Sequence, residues 1–140
     1  MKVQEKRPLE NISLSGYKSF RELESFPMHS GLNVLIGANG SGKTNFIRFF
    51  ELLGNIMDAN KGLQNYVSSR GRADAFLFRG MKVTPEFKAH LKFGLNEYKF
   101  TLRAADDRSL FFAQESAPFA GPYFGSIRND QGSDHLESPL

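Results

Sequence analysis

The chain has 140 residues, of which 40% are hydrophobic and 24% charged, and its formal net charge is +3 at pH 7. This length allows one domain with a core of its own, and the absence of cysteine excludes a disulfide framework and thiolate metal sites. No apolar run approaches the length of a membrane span and the first residues are polar, so we expect a cytoplasmic protein with no membrane contact.

Two strands are predicted at the front of the chain, separated by a polar break at Ser15-Gly16. Their apolar positions are Leu9, Ile12 and Leu14 in the first strand and Phe20, Leu23 and Phe26 in the second. Pro27 should end the second strand or keep it at a sheet edge, because proline cannot donate a ladder hydrogen bond.

A strand and then a helix are predicted next. The nearly continuous apolar run from Leu32 to Ile36 follows Gly31 and is typical of a strand buried on both faces. The later apolar residues recur at helical spacing until residues 58–62 break the pattern. The predicted helix face comprises Phe46, Phe49, Phe50, Leu53 and Met57, widened by Ile47 and Ile56.

Between this strand and this helix lies Gly37-Ala38-Asn39-Gly40-Ser41-Gly42-Lys43-Thr44, which fits the phosphate-loop pattern G-x-x-x-x-G-K-[ST] at every fixed position. The glycines let successive backbone N–H groups approach phosphate oxygens. Lys43 would place its charge on the outer phosphates, Thr44 its hydroxyl on Mg²⁺, and the helix the positive end of its dipole on the same anion. The sequence therefore predicts a nucleoside triphosphate site.

The middle of the chain predicts an antiparallel hairpin. Apolar and polar residues alternate over 88–95 and again over 98–103, and we expect Asn96-Glu97 to join these two strands. A third strand, Leu110 to Ala113, would follow a turn at residues 106–108. The predicted fold class is α/β, an N-terminal lobe of a P-loop NTPase in which a strand, phosphate loop and helix join an antiparallel β layer.

Charge is uneven along the chain. Residues 61–108 hold ten Lys or Arg against five Asp or Glu. Two interpretations stay open: contact with nucleic acid, or an ordinary solvated sheet face.

The early turn and the glycine loop together resemble a known family. Ser15-Gly16-Tyr17-Lys18-Ser19-Phe20, about 20 residues ahead of Gly40-Ser41-Gly42-Lys43-Thr44-Asn45-Phe46, resembles the opening of the SMC-like and RecF-like branch of ABC-type ATPases, a kind of AAA family ATPase. Asn39 and Asn45 distinguish this loop from those of generic P-loop kinases and GTPases, which do not require asparagine at these positions. Thr44 replaces the commoner serine and keeps the hydroxyl. The resemblance implies ATP and Mg²⁺ as ligands, ATP-binding roles for residues 37 and 39–45, and a phosphate contact for Lys18; the alternative for Lys18 is an exposed turn lysine.

Two further positions, Arg79 and Gln114, bear on this resemblance. Phe78-Arg79-Gly80 is similar to an Arg-Gly near the start of the family's antiparallel sheet, which implies that Arg79 lies near the base or ribose; the alternative is a structural arginine at a strand end. Gln114 invites comparison with the glutamine that helps to hold magnesium, but no surrounding motif supports it and polar surface is the preferred interpretation.

The resemblance covers about residues 9–115, the N-terminal lobe, and we place the domain at 1–115. Residues 116–140 are rich in turn formers and are interpreted as a linker or frayed end, so the chain is expected to be a truncated ATPase. The signature motif, the Walker B strand and the switch histidine of the family are not recognisable; Asp106-Asp107 follows no apolar strand. His29, His90 and His135 lack metal-ligand spacing. No catalytic residue is assigned.

Two functional interpretations remain. The first is an ATP-binding lobe that dimerises head to tail and, in a full-length ATPase, couples hydrolysis to DNA repair, chromosome handling or defence, with DNA as a partner. The second is a stand-alone or truncated nucleotide-binding module without turnover. A small-molecule kinase or a GTPase fits less well, because a β hairpin stands where a kinase needs its lid and no N-K-x-D motif occurs.

Overall fold

Five strands form one antiparallel sheet in the order β2-β1-β3-β4-β5. The computed structural model describes residues 8–58 and 62–117. The strands are β1 Asn11–Tyr17, β2 Phe20–Pro27, β3 Glu86–Phe93, β4 Asn96–Ala104 and β5 Leu110–Ser116. The predicted antiparallel layer is confirmed, and the strand that ends at Pro27 lies at the sheet edge as expected.

Apolar and polar residues alternate along the strands, which gives the sheet one apolar and one polar face. On β3, Phe87, Ala89 and Leu91 are buried, whereas Lys88 and His90 point to the opposite side. Because cross-strand partners share a face, Lys88 lies between Ser15 of β1 and Thr101 of β4, so the polar face continues across the sheet.

Three helices follow the phosphate loop: α1 Lys43–Met57, α2 Leu63–Ser69 and α3 Arg72–Phe76. The first covers the apolar face of the sheet, and its buried residues are Phe46, Phe49, Leu52, Leu53 and Ile56. The predicted helix is confirmed, but Ile47 and Met57 are 60% and 52% exposed and do not belong to its core face.

The two short helices α2 and α3 were not predicted. They have seven and five residues, too few to show two full turns of apolar periodicity. Tertiary packing stabilises them instead, because Tyr66 of α2 meets Phe76 of α3 edge to face with ring centroids 5.7 Å apart.

Two predicted turns were misplaced. β1 continues through Ser15-Gly16 because Ser15 pairs with Glu22 of β2 and with Lys88 of β3. A side chain at Gly16 would lie 2.8 Å from Thr84 and 2.9 Å from the carbonyl of Glu86, a close approach that glycine allows. The β3–β4 reversal uses Gly94-Leu95 rather than Asn96-Glu97, since Gly94 supplies the positive φ, 66°, that a two-residue hairpin turn requires.

The strand predicted before the phosphate loop is wrong for the described residues. Residues 32–38 are in no strand, and Leu32, Val34 and Ile36 are 88%, 68% and 92% exposed. A strand exists only when a neighbour satisfies its backbone groups, and all five strands present belong to the antiparallel sheet. The predicted third strand of the meander is correct and extends to Ser116; the rest of the predicted linker, from residue 118, lies outside the described residues.

Candidate functional site

Two glycines of the predicted phosphate loop adopt backbone conformations that favour glycine. Gly40 and Gly42 have φ of +85° and +96°, a region in which residues with a side chain are strained. The N–H of Ser41 donates to the carbonyl of Ala38 over 3.1 Å, which closes a turn with Gly40 at its third position. The loop therefore depends on backbone conformation at residues 40 and 42.

Gly37 lies close to the side chain of Ser41. A Cβ there would lie 2.9 Å from the hydroxyl oxygen of Ser41, which closes over the start of the loop. Nothing lies within 4 Å of the corresponding position on Gly40, so that side of the loop is open.

The loop ends in a set of free donors. Within the described residues, the backbone N–H groups of Gly42, Lys43, Thr44 and Asn45 make no hydrogen bond, and the first backbone bond runs from the N–H of Phe46 to the carbonyl of Gly42, 2.9 Å away. No side chain caps α1 at Gly42. Consecutive free N–H groups at the positive end of a helix form a donor set that suits an anion such as a phosphate.

Two side chains complete this donor set. The Lys43 amine donates to the carbonyl of Gly37, so the side chain reaches back to the first residue of the loop. Thr44 is exposed, and its hydroxyl makes no hydrogen bond within the part of the chain that the structure describes. Both groups are therefore placed beside the free N–H groups.

Asn45 is hydrogen-bonded to the β1–β2 turn, Lys18-Ser19. Its Nδ2 group donates to Oγ of Ser19 over 2.9 Å, and a Cβ at Gly42 would lie 3.0 Å from the ring of Phe20. Sequence reasoning included Ser19 and Phe20 in the family motif but gave neither a role at the loop, although their place in that motif was the available signal.

Lys18 is turned toward α3. Its amine donates to the carbonyl of Ala75 over 3.0 Å and lies 4.8 Å from the ring centroid of Phe76. Burial lowers the pKa of this amine, and the positive charge of Arg48 lowers it further. Lys18 thus lies in the turn beside the loop, but its charged group contacts α3.

Arg79 lies at the end of the sheet, in a turn that follows an isolated bridge between Tyr17 and Leu77. Its φ is +58°, and its guanidinium lies 5.3 Å from the ring of Phe78. A hollow of about 410 Å³ there is also lined by Arg21, a second arginine that sequence reasoning missed.

Gln114 belongs to the polar face of the sheet. It pairs with Thr101 and lines a hollow of about 460 Å³ together with Lys88, His90 and Lys99. The structure therefore brings together residues 37–45 of the predicted site, places Lys18 next to them in a different contact, and places Arg79 and Gln114 in hollows of the sheet.

A family model described as "AAA domain, putative AbiEii toxin, Type IV TA system" matches residues 32–126, more than half of the chain and the whole phosphate loop. The chain belongs to this AAA-domain family. Nucleotide binding of the ATPase type is what an AAA domain implies, and the free donors at the start of α1 agree with it. No curated protein matches this AAA-domain chain.

Two features are absent from the described residues of this AAA domain. No helix among them is long and apolar enough to cross a membrane. No group of three or more His, Cys, Asp or Glu side chains among them could hold a metal ion.

Proposed function

We propose that this chain binds ATP with Mg²⁺ through residues 37–44, as the N-terminal lobe of an SMC-like or RecF-like ATPase. The observation that carries the proposal is the row of free backbone N–H groups from Gly42 to Asn45 at the start of α1, bordered by the Lys43 amine and the Thr44 hydroxyl. A β- or γ-phosphate has the charge and the acceptor oxygens that match this set.

Each part of the loop has a separate task in this proposal. The N–H groups would bind phosphate oxygens, and the Lys43 amine would exchange the carbonyl of Gly37 for the outer phosphates. Thr44 would hold Mg²⁺, which neutralises phosphate charge, and the remaining ligands of the ion would be phosphate oxygens and water.

The exposed segment ahead of the loop supports assignment to an N-terminal lobe. Leu32, Val34 and Ile36 leave most of their apolar surface in water, and residues 32–36 form no backbone–backbone hydrogen bond within the described part of the chain. A nearly continuous apolar run is typical of a strand covered on both faces in a parallel sheet. We propose that residues 32–36 form a strand of a parallel sheet whose other strands belong to a second lobe.

Turnover would depend on that second lobe. Phosphoryl transfer needs a group that orients the attacking water and charge on the γ-phosphate, and no Walker B strand is recognisable in the sequence. In the full-length form we propose a head-to-tail homodimer through the ATP site that acts on DNA, in repair, chromosome handling or defence. The family description, which names a toxin of a type IV system, favours defence. The alternative is a nucleotide-binding module without turnover.

Calorimetry with ATP, with and without Mg²⁺, tests the proposal when a phosphate-release assay is run on the same sample. Binding that strengthens with Mg²⁺ and is not followed by phosphate release is expected of the isolated lobe. Release at a steady rate would show that a catalytic carboxylate lies within these 140 residues. No heat of binding at millimolar ATP would refute the nucleotide site.

A further inference from the structure

The β1–β2 turn lies directly against the phosphate loop. Ser19 Oγ accepts the hydrogen bond from Asn45 Nδ2 at 2.9 Å, which links the turn to the first turn of α1. On Gly42, a Cβ would lie 3.0 Å from Cζ of Phe20 and 3.2 Å from Oγ of Ser19. These distances place both side chains against the backbone of the glycine that begins the helix.

The opposite side of the same turn is attached to the end of α3. The backbone N–H of Lys18 donates to the carbonyl of Phe76 over 2.9 Å, and the Lys18 amine donates to the carbonyl of Ala75 over 3.0 Å. The N–H of Phe78 donates to the carbonyl of Gly16 over 2.9 Å. The turn is therefore held by the sheet and by α3 independently of its contact with the loop.

The loop itself has little other support. Residues 36–41 are exposed, and their hydrogen bonds are local ones: the N–H of Ser41 donates to the carbonyl of Ala38, and the Lys43 amine donates to the carbonyl of Gly37. Gly42 has a φ of +96°, and a glycine without outside contacts samples both signs of φ. Ordering such a loop at the moment of binding costs affinity, whereas a loop that is already ordered does not incur that cost.

We propose that Ser19 is a positioning residue for the phosphate loop: its hydroxyl, together with the ring of Phe20, fixes Gly42 and the start of α1 so that the free N–H groups converge before nucleotide arrives. The effect on nucleotide affinity rests on the proposed ATP site, whereas the effect on loop order does not. Lys18 holds the same turn against α3 through the hydrogen bond from its amine to the carbonyl of Ala75.

Two measurements on the 140-residue chain test this role. Amide hydrogen exchange of residues 40–45 without nucleotide reports loop order, and calorimetry with ATP and Mg²⁺ reports affinity. The variants are Ser19→Ala, which removes the acceptor, Ser19→Thr, which keeps a hydroxyl, Asn45→Ala, and the Ser19→Ala/Asn45→Ala double variant. Ser15→Ala is the matched control, because it removes the same group from the same hairpin on the polar face of the sheet.

Ser19→Ala should speed exchange at residues 40–45 and weaken ATP binding about three- to tenfold, the range for loss of one hydrogen bond. Ser19→Thr should restore both, and Ser15→Ala should change neither. The double variant should have about the same ATP affinity as the single variant that binds ATP less tightly, because both changes remove the same hydrogen bond.

Exchange at the parent rate in Ser19→Ala would overturn the proposal, even if its melting temperature falls, because the hydroxyl would then be structural only. The proposal would also be overturned if the fold-losses of ATP affinity in the two single variants multiply in the double variant. If the parent chain binds no ATP, the proposed function fails, and the exchange rates still decide whether Ser19 orders the loop.

Discussion

The ring of Phe49 on α1 is stacked on the ring of Phe100 on β4, with centroids 6.4 Å apart and planes inclined by 11°. Both residues are buried, and Tyr17 meets Phe49 edge to face at 5.6 Å. This aromatic contact attaches the helix that begins at the phosphate loop to the middle of the sheet. The position of the loop therefore depends on a packed core as well as on its own glycines.

Phe49→Ala should lower the free energy of unfolding by about 3 to 5 kcal/mol, because it leaves a cavity between α1 and the sheet. Phe50→Ala is the matched comparison: because Phe50 is half-buried, this substitution should lower the free energy of unfolding clearly less. Urea unfolding followed by circular dichroism measures both. Equal losses would contradict the assignment of the core face of α1.

Lys43→Ala should weaken ATP binding about tenfold to a hundredfold, because a hydrogen-bonded charge on the phosphates is lost. Lys82→Ala removes the same charge from an exposed turn and should leave affinity within about twofold. Calorimetry on both variants decides between a local and a general electrostatic effect. Equal ATP affinity in Lys43→Ala and the parent chain would contradict the assignment of the phosphate loop.

Thr44→Ala should chiefly reduce the gain in ATP affinity that Mg²⁺ provides, because the hydroxyl is the one protein ligand assigned to the ion. Thr44→Ser keeps the oxygen and should retain that gain. The measurement is the ratio of ATP affinities with and without Mg²⁺ in each variant. A normal ratio in Thr44→Ala would show that Thr44 does not ligate the metal.

Tyr17→Phe should leave stability unchanged or raise it by about 1 kcal/mol. The Tyr17 hydroxyl is buried and has no hydrogen-bond partner among the described residues, so the folded chain carries its desolvation cost without compensation. Phenylalanine keeps the ring contacts with Phe49 and Phe87. A fall in the free energy of unfolding by 1 kcal/mol or more would indicate a partner for the hydroxyl.

Tyr66 should make stability depend on alkaline pH. Burial and the hydrogen bond from its hydroxyl to Glu51, at 3.0 Å, raise the pKa of Tyr66 to about 12. The unfolded chain has a tyrosine pKa of about 10, so this contribution is fully present below that pH and is lost as pH rises from 10 to 12.

The free energy of unfolding should therefore fall less between pH 9 and pH 11 in Tyr66→Phe than in the parent chain. All other titratable groups are the same in both proteins, so the difference between the two falls reports on Tyr66. Identical falls would show that the pKa of Tyr66 is not raised in the folded chain.

Local chemistry made the helix and the antiparallel strands predictable. Period-two alternation located the later hairpin and the third strand, and the phosphate loop with its helix followed from glycine spacing and from Phe46, Phe49 and Leu53. These features depend on residues that are close in sequence. The break at Ser15-Gly16 was misplaced because the pairing of Ser15 with Lys88 joins residues that are distant in sequence, whereas the β3–β4 turn was misplaced because the positive φ of Gly94 was not anticipated.

The sequence by itself determined the phosphate loop, the helix behind it and the existence of an antiparallel layer, because motif spacing and periodicity are properties of neighbouring residues. Only the tertiary structure decided that Lys18 contacts Ala75, that Ser19 contacts Asn45 and that residues 32–36 form no strand. Each of these depends on which distant group lies within hydrogen-bonding distance, and an apolar run becomes a strand only when a neighbouring strand accepts and donates its backbone hydrogen bonds.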